Sequence, residues 1–325
     1  ASTSLESLSP LAISNFGKMK HRPTLKYFSK PTMISPYKLT GFIVLSQDLL
    51  GDTTMCYSAL VKQDLKYLGR RYGALAVRTQ IDSYIEHSSK DPKDFPPLKD
   101  RIYPGYYAPV IFERDGKRVT EVMRYGAYPP AHIKDPSKYS SFNARRDNLT
   151  STFWANAFQK HHGVVILEGF YEWVAVKDLL KAGVVTLKDI ESEFSRQSEA
   201  RKQKIISEGK TWKPTPTEKK PAIDRQIIIQ FKPEDGEDLI IPVVFSYNHE
   251  IPGDNQSIPN AGFAVITDDP TQEIERAGHD RCPVILNESD IDTWLHPENL
   301  SAKHLQDFLL SKKRVTFKHA LARAA

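Results

Sequence analysis

Residues 164–173 read VVILEGFYEW, and the only charged residues among these ten are Glu168 and Glu172. The run begins with four aliphatic residues in succession, which is typical of a strand that is buried on both faces. The aromatic stretch GFYEW continues it. We therefore predict a strand that enters a buried environment and carries the side chain of Glu172 with it.

Further strands are predicted on both sides of this run. Residues 118–124 (RVTEVMR) alternate apolar and polar side chains with a period of two, as a half-buried strand does. Other short apolar runs lie at residues 108–112, 225–230, 239–245 and 262–267. Helical patterns cover residues 60–72, 269–278, 288–295 and 301–311. Because the helices do not alternate regularly with the strands, the pattern favours an α+β fold over a doubly wound α/β sheet.

The composition excludes several classes of protein. The chain has 325 residues, 40% of them hydrophobic, and no apolar run approaches the length that spans a bilayer, so we expect no membrane association. The two cysteines, Cys56 and Cys282, lack the spacing of a disulfide framework or a zinc site, which predicts a reducing compartment, no metal and no cofactor. The net charge of +5 is too small to indicate a nucleic-acid partner.

The chain divides into an N-terminal extension and one domain. Residues 1–55 are rich in Ser, Pro and Lys with little periodicity, which predicts a leader that is disordered or removed. Residues 56–325 form the predicted domain, and within it residues 174–222 interrupt the β pattern as a charged helical insertion. Thr186 and Asp189 match a capping box at the start of its helix, and Gly209 suits the end. The Lys and Arg residues at positions 201, 202 and 204 are interpreted as a solvated helix face.

Three further segments carry reactive side chains: MC at 55–56, NAR at 143–145 and HDRCPVIL at 279–286. Each has an ordinary explanation by itself. Cys56 alone suits a buried thiol. Glu172 suits one half of a structural ion pair, and His279 suits a helix cap.

Taken together, and with GFYEW between the second and the third, these segments resemble the SRAP family of SOS response-associated peptidases or abasic-site crosslinking proteins. The resemblance extends from Met55 to about Pro297, where WLHP is similar to the family's closing Trp-Leu-x-Pro. It implies a mainly antiparallel, barrel-like β core with peripheral helices. It also implies a DNA damage response, in the cytoplasm near the nucleoid of a bacterium or phage host or in the nucleus of a eukaryote. We expect a monomer.

This resemblance implies that the protein forms a covalent crosslink with abasic sites in single-stranded DNA. An abasic site equilibrates with an open-chain aldehyde, and an N-terminal amine, with an ordinary pKa of about 7.7–8.0, is partly neutral and nucleophilic at pH 7. The amine of Cys56 would form a Schiff base, and its thiol would then close a five-membered thiazolidine. Only a free 1,2-aminothiol forms this ring. Cys56 must therefore be N-terminal, either through initiation at Met55 or through cleavage, for which an autopeptidase activity is one route.

The resemblance also assigns roles to individual side chains. Glu172 would shuttle protons during imine formation, and His279 would act at the sugar-ring oxygen during ring opening. Asn143 would orient the substrate or the amine without titrating.

For DNA binding, the resemblance gives Arg145 a phosphate contact. It places Arg124 and Tyr125 beside the bases next to the lesion, where Tyr125 replaces a family tryptophan and would stack on a base. Pro104, in the YPG stretch at 103–105, belongs to another loop that lines the family's site.

One departure from the family concerns the start of the domain. The family's Met-Cys-Gly-Arg has Tyr57 and Ser58 in its last two places here, so one phosphate contact is missing. Arg70, Arg71 or Lys62 are candidates to replace it. Cys282 stands where the family often has methionine, and we interpret it as core packing.

Two alternative functions remain open. One is a cysteine peptidase with Cys56 as the nucleophile and His279 as the base. The other is a non-catalytic module that binds single-stranded DNA, in which Cys56 is buried behind residues 1–54.

Overall fold

The computed structural model describes residues 58–135, 139, 141–183, 185–249 and 260–322, so Cys56 and the predicted extension lie outside the described residues. The strands are β1 Ser58–Val61, β2 Leu75–Ala76, β3 Arg101–Ile102, β4 Tyr107–Arg114, β5 Lys117–Tyr125, β6 Asn143–Arg145, β7 His162–Ala175, β8 Gln226–Pro233, β9 Leu239–Tyr247, β10 Ala261–Asp268, β11 Cys282–Pro283 and β12 Phe317–Leu321. The helices are α1 Leu65–Tyr72, α2 Arg78–Lys90, α3 Ala155–Lys160, α4 Val176–Lys181, α5 Leu187–Ser207, α6 Gln272–Arg276, α7 Ile291–Leu295 and α8 Ala302–Leu310.

Strand β7 organises the sheet. Its first half pairs antiparallel with β9, from His162 opposite Val244 to Leu167 opposite Leu239, and with β4 on its other side. Its second half pairs antiparallel with β8 and with β1. Each half of β7 therefore has a strand on both sides, so β7 is an interior strand of the sheet, and most of its side chains are buried.

Five strands close a ring in the order β4, β5, β10, β9 and β7. The contact between β5 and β10 is parallel, with Gly262 opposite Arg124, and the other four are antiparallel. A Cβ atom at Gly262 would lie 2.3 Å from the carbonyl oxygen of Gly126, so this close approach requires glycine. Where the family resemblance led us to expect a barrel-like core, the structure contains this ring within a mostly antiparallel sheet.

Hydrophobic clusters cover the two faces of β7. Alternate side chains point to opposite faces, so Val165 belongs to the larger cluster and Val164 to the smaller one. Residues of α3, α7 and α8 contribute to the smaller cluster. Trp294 on α7 donates its indole N–H to the carbonyl oxygen of Gly163 at 2.8 Å, which ties the WLHP segment to β7.

The predicted α+β class is confirmed, with helices at the periphery of the sheet. The predicted strands correspond to β4, β5, β7, β8, β9 and β10. The prediction of one helical stripe over residues 60–72 is wrong in its first part, because Leu60 pairs with β3 and β7 as a strand residue. Helix α1 begins only at Leu65. Asp64 is its N-cap, and the Asp64 side chain accepts hydrogen bonds from the backbone N–H groups of Lys66 and Tyr67.

The segment 174–222 contains α4 and α5. The capping box of α5 is present as predicted, with the Thr186 hydroxyl and the Asp189 carboxylate each bonded to the other residue's backbone N–H. Gly209, with φ of +71°, follows the end of the helix. Ile190 and Phe194 are its buried residues, and most of its other side chains are polar or charged. None of the helices in the described part of the chain combines the length and apolarity that crossing a bilayer needs.

Candidate active site

Glu172 lies on the second half of β7, opposite Ile229 of β8. Because side chains alternate along a strand, Glu172 shares a face with Phe170 and Val174, which both belong to the larger hydrophobic cluster. Its side chain is 1% exposed. A carboxyl group withdrawn from water to this extent needs a polar partner, since burial without one carries a large free-energy cost.

That partner is His279, which follows helix α6. Gly278, with φ of +89°, turns the chain so that the His279 N–H donates to the carbonyl oxygen of Ile274 at 3.1 Å. The imidazole Nε2 then lies 3.1 Å from Glu172 Oε2, and the His279 side chain is 4% exposed. The turn after α6 thus places the His279 imidazole next to the buried Glu172 carboxyl group.

The Glu172–His279 pair is built to hold a proton. Nδ1 of His279 lies 2.9 Å from the carbonyl oxygen of Arg281 and 3.2 Å from the N–H of the same residue, so Nδ1 has a partner in either tautomer. A favourable contact between Nε2 and Oε2 requires a proton between them, because two facing lone pairs repel. The pair can therefore accept and release a proton away from bulk water, as general acid–base catalysis requires.

Gly278→Ala is expected to destabilise the protein and to disturb this pair. The left-handed backbone alone costs an alanine about 1–2 kcal/mol, and its Cβ atom would also lie 2.6 Å from the Cβ of Asp178 on α4. Gly209→Ala is the matched control, because Gly209 also has a positive φ but a Cβ there meets nothing within 4 Å. Urea unfolding should show the larger loss of unfolding free energy for Gly278→Ala. Equal losses would mean that the contact with Asp178 has no effect.

Asn143 is buried on β6, opposite Val265 of β10, and the Tyr125 hydroxyl donates to its Oδ1 at 3.4 Å. We expected Tyr125 to stack on a base, but its ring is 1% exposed and stacks on Phe263 with a centroid separation of 5.3 Å. A ring enclosed in the core cannot reach a base while β5 stays folded. We therefore assign Tyr125 a hydrogen bond that positions the Asn143 amide rather than a base contact.

Arg145 is 43% exposed and forms a bidentate ion pair with Asp147. Nε lies 3.0 Å from Oδ1, and Nη2 lies 2.6 Å from Oδ2. Their hydrogen bond raises the pKa of Arg145 and lowers the pKa of Asp147 below its ordinary value, so both groups are charged at neutral pH. The edge of the guanidinium that suits a phosphate is therefore occupied by a carboxylate of the same chain.

Arg124 and Pro104 are both partly exposed, and a Cβ atom at Gly105, the residue after Pro104, would lie 3.8 Å from Nη2 of Arg124. The Gly105 N–H donates to the carbonyl oxygen of Tyr125 at 2.7 Å, which holds the YPG loop against the end of β5. The Arg124 guanidinium lies 5.9 Å from the ring centroid of Tyr128. Tyr128, unlike Tyr125, is a partly exposed ring beside this cation.

The candidates for the missing phosphate contact are mostly engaged elsewhere. Lys62 lies 2.7 Å from Glu168 and 3.6 Å from Asp238, and Arg71 forms an ion pair with Glu288. Arg70 is exposed on α1 and has no ion pair within the described part of the chain. Two of the three predicted substitutes are therefore neutralised by carboxylates.

Cys282 is 3% exposed and belongs to the larger hydrophobic cluster, which confirms its interpretation as core packing. Burial raises the pKa of its thiol to about 11. Since the thiolate is the reactive form, Cys282 is a poor nucleophile at neutral pH.

The structure brings Glu172 to His279 and Tyr125 to Asn143. Sequence reasoning missed Asp147 as the partner of Arg145, although an acidic residue two positions away was visible in the sequence. Among the described residues, no group of three or more His, Cys, Asp or Glu side chains is arranged to hold a metal ion.

Comparisons with known proteins connect this geometry to a family. The family model of the SOS response associated peptidase (SRAP) matches residues 68–321. An abasic site processing protein from Saccharomyces cerevisiae is 32% identical over 126 residues, which cover 35% of this chain and 34% of that protein. The match thus spans about a third of the relative's length.

Two crystal structures share the fold. A protein from Bordetella bronchiseptica has a TM-score of 0.51 at 15% identity, with 83% of this chain and 100% of that chain covered. A protein from Bacteroides thetaiotaomicron has a TM-score of 0.50 at 14% identity, with 82% of this chain and 92% of that chain covered. At these identities the likeness concerns the fold alone. Since the family model matches well over half of the sequence, the chain belongs to the SRAP family.

Proposed function

We propose that this protein captures abasic sites in single-stranded DNA as a covalent thiazolidine formed by Cys56. The observation that carries the proposal is the buried pair of Glu172 and His279, whose facing atoms are 3.1 Å apart. Membership of the SRAP family and the name of the yeast relative, an abasic site processing protein, support abasic DNA as the substrate class.

The start of β1 connects Cys56 to this pair. Ser58 lies opposite Tyr171, the residue before Glu172, and one residue separates Ser58 from Cys56. Two peptide steps extend at most about 7 Å, so the covalent chain limits how far Cys56 can be from the strand that carries Glu172.

The reaction needs no oxidant, reductant or metal. The Cys56 amine attacks the aldehyde carbon to give a carbinolamine, which loses its hydroxyl group as water and becomes an imine. The thiol sulfur then adds to the imine carbon, and the thiol proton goes to the nitrogen. One aldehyde and one aminothiol thus give one thiazolidine and one water.

Proton transfers accompany each step, and we assign them to the buried pair. Glu172 takes a proton from the attacking amine and returns it to the departing hydroxyl group. His279 donates to the ring oxygen when the sugar opens to the aldehyde. Asn143, held by the Tyr125 hydroxyl, orients the amine or the sugar.

The DNA backbone is proposed to bind at Arg145, with Arg124 and Pro104 near the bases that flank the lesion. Arg145 already holds the Asp147 carboxylate at 2.6 Å and 3.0 Å, so a phosphate must displace that carboxylate or share the guanidinium with it. Asp147 therefore competes with DNA for Arg145.

Asp147→Asn is expected to tighten the binding of single-stranded DNA about two- to fivefold, because an exposed ion pair is worth up to about 1 kcal/mol. Fluorescence anisotropy with an intact oligonucleotide measures the effect. Glu288→Gln, which breaks the exposed pair with Arg71, is the control for a general gain of positive charge. An unchanged affinity for Asp147→Asn, or the same gain in both variants, would refute the competition.

The test of the proposed function is incubation of the protein with single-stranded DNA that contains one abasic site. We expect a heat-stable adduct on a denaturing gel, and no adduct with Cys56→Ala. Peptide hydrolysis without an adduct would instead support the cysteine peptidase. Salt-sensitive DNA binding with neither product would support the non-catalytic module.

We further propose that the active species begins at Cys56, with residues 1–55 removed or not translated, and that residues 56–325 act as one monomeric domain. Light scattering of the adduct tests the last point. A mass that corresponds to two protein chains per oligonucleotide would contradict it.

A further inference from the structure

Arg101, on β3, is a partly exposed arginine without an acidic partner among the described residues. Many other arginines of the fold form ion pairs, namely Arg71, Arg114, Arg118, Arg145, Arg146, Arg196, Arg201 and Arg281. Arg101 instead donates from Nε and Nη2 to the hydroxyl oxygen of Ser58, at 3.2 Å each. Its positive charge is thus held in place by a neutral group.

Aromatic rings fix the plane of this guanidinium. Its central carbon lies 3.7 Å from the ring centroid of Tyr171 and 5.2 Å from that of Tyr103. Tyr171 is itself held, since Gln230 donates to its hydroxyl at 2.7 Å. Within the described part of the chain Nη1 of Arg101 has no acceptor, so its N–H groups remain available to a ligand. An arginine ordered in advance loses little conformational entropy when it binds an anion.

The position of Arg101 relative to the proposed chemistry indicates which anion this is. Tyr171 and Glu172 are consecutive on β7, so Tyr171 and the guanidinium stacked on it lie on the face opposite the buried Glu172. Ser58, which accepts the hydrogen bonds of Arg101, follows Cys56 by two residues. Because two peptide steps extend at most about 7 Å, a DNA strand whose abasic sugar is bonded to Cys56 stays near the end of β1 that Arg101 contacts.

We propose that Arg101 binds a phosphodiester group of the captured strand next to the lesion. The proposal rests on the proposed function. The planar fork of the guanidinium suits two phosphate oxygens, and the partly exposed face lets the phosphate keep part of its hydration. Arg101, rather than Arg70, Arg71 or Lys62, then makes the phosphate contact that the family's arginine makes at the position of Ser58.

The experiment compares Arg101→Gln with Arg70→Gln, since both arginines lack an ion pair among the described residues but Arg70 lies on α1. An intact single-stranded oligonucleotide is the probe, so that no covalent step contributes. We expect Arg101→Gln to weaken binding about tenfold, the effect of losing a hydrogen bond to a charged group. The slope of log K against log salt should fall by about 0.7, the value for one phosphate of a single strand. Arg70→Gln should change neither.

An unchanged slope for Arg101→Gln, or equal losses in both variants, would overturn the proposal. If circular dichroism shows that Arg101→Gln does not fold, Arg101→Lys carries the test. Arg101→Lys should leave the slope of log K against log salt unchanged, because the positive charge remains. It should lower the affinity several-fold, because lysine lacks the planar guanidinium that contacts two phosphate oxygens. No change in affinity for Arg101→Lys would overturn the proposal as well. If the slope changes but no adduct forms with abasic DNA, the proposed function fails while the Arg101 contact stands.

Discussion

Glu172→Gln is expected to slow thiazolidine formation about 10²–10⁴-fold, the usual contribution of one positioned acid–base group. Glutamine keeps the shape of the side chain and a hydrogen bond to His279, but it cannot take up the amine proton. His279→Ala should have a loss in the same range, because it removes the group assigned to the sugar-ring oxygen and leaves Glu172 without the imidazole that lies 3.1 Å from it. Single-turnover adduct formation with excess protein measures the rate, and thermal unfolding reports whether the fold is kept.

The protein contains a matched control for this experiment. His296 and Glu298 form a second imidazole–carboxylate pair, with Nδ1 and Oε1 3.2 Å apart, but its side chains are 38% and 64% exposed. His296→Ala and Glu298→Gln should leave the rate unchanged. Affinity for intact single-stranded DNA should also stay the same in Glu172→Gln, since the group transfers protons and does not hold the strand. Unaltered adduct rates in Glu172→Gln and His279→Ala would remove both residues from the mechanism.

A chain with an intact Met55–Cys56 bond is expected to form no thiazolidine. The nitrogen of Cys56 is then an amide nitrogen, which is not a useful nucleophile toward an aldehyde, and ring closure needs nitrogen and sulfur on the same reacting residue. Two preparations test this, one that begins at Cys56 and one that retains residues 1–55. Intact mass should show an adduct for the first only, at the mass of protein plus oligonucleotide minus one water.

Cys282→Ala is the control for this second prediction. Burial raises the pKa of the Cys282 thiol to about 11, so its removal should not affect the adduct. A stable adduct on protein with an uncut Met55–Cys56 bond would show that the aminothiol mechanism is wrong for this chain.

The parts of the fold that sequence predicted are those in which local pattern and tertiary environment agree. The apolar run at 164–167 is a strand because it is buried from both sides, and the Thr186–Asp189 capping box involves only neighbouring residues. The helical pattern at Leu60 gives the wrong prediction, because Leu60 pairs with β3 and β7, which are distant from it in sequence.

The candidate site also contains some features that the sequence predicts and others that depend on tertiary packing. The motifs predicted separate roles for Glu172 and His279 through the family resemblance, but they did not predict the direct contact of 3.1 Å between the two side chains. The burial of Tyr125 was not predicted either, because it depends on how β5 packs against Phe263. Arg101 contacts Ser58 and Tyr171, and the three residues lie on three different strands, so no spacing in the sequence indicates these contacts.

The pairing of β7 with both earlier and later strands has a consequence for biosynthesis. On the ribosome, β7 emerges with β1 and β4 already made, but it has no partner on its other side until β8 and β9 follow. At 5–20 residues per second, the synthesis of residues 176–247 takes roughly 4–14 s. During this interval the nascent chain exposes an apolar strand edge, which is a target for chaperones and a risk for aggregation. His279 is translated later still, so a nascent chain carries Glu172 without its imidazole partner until residue 279 has been made.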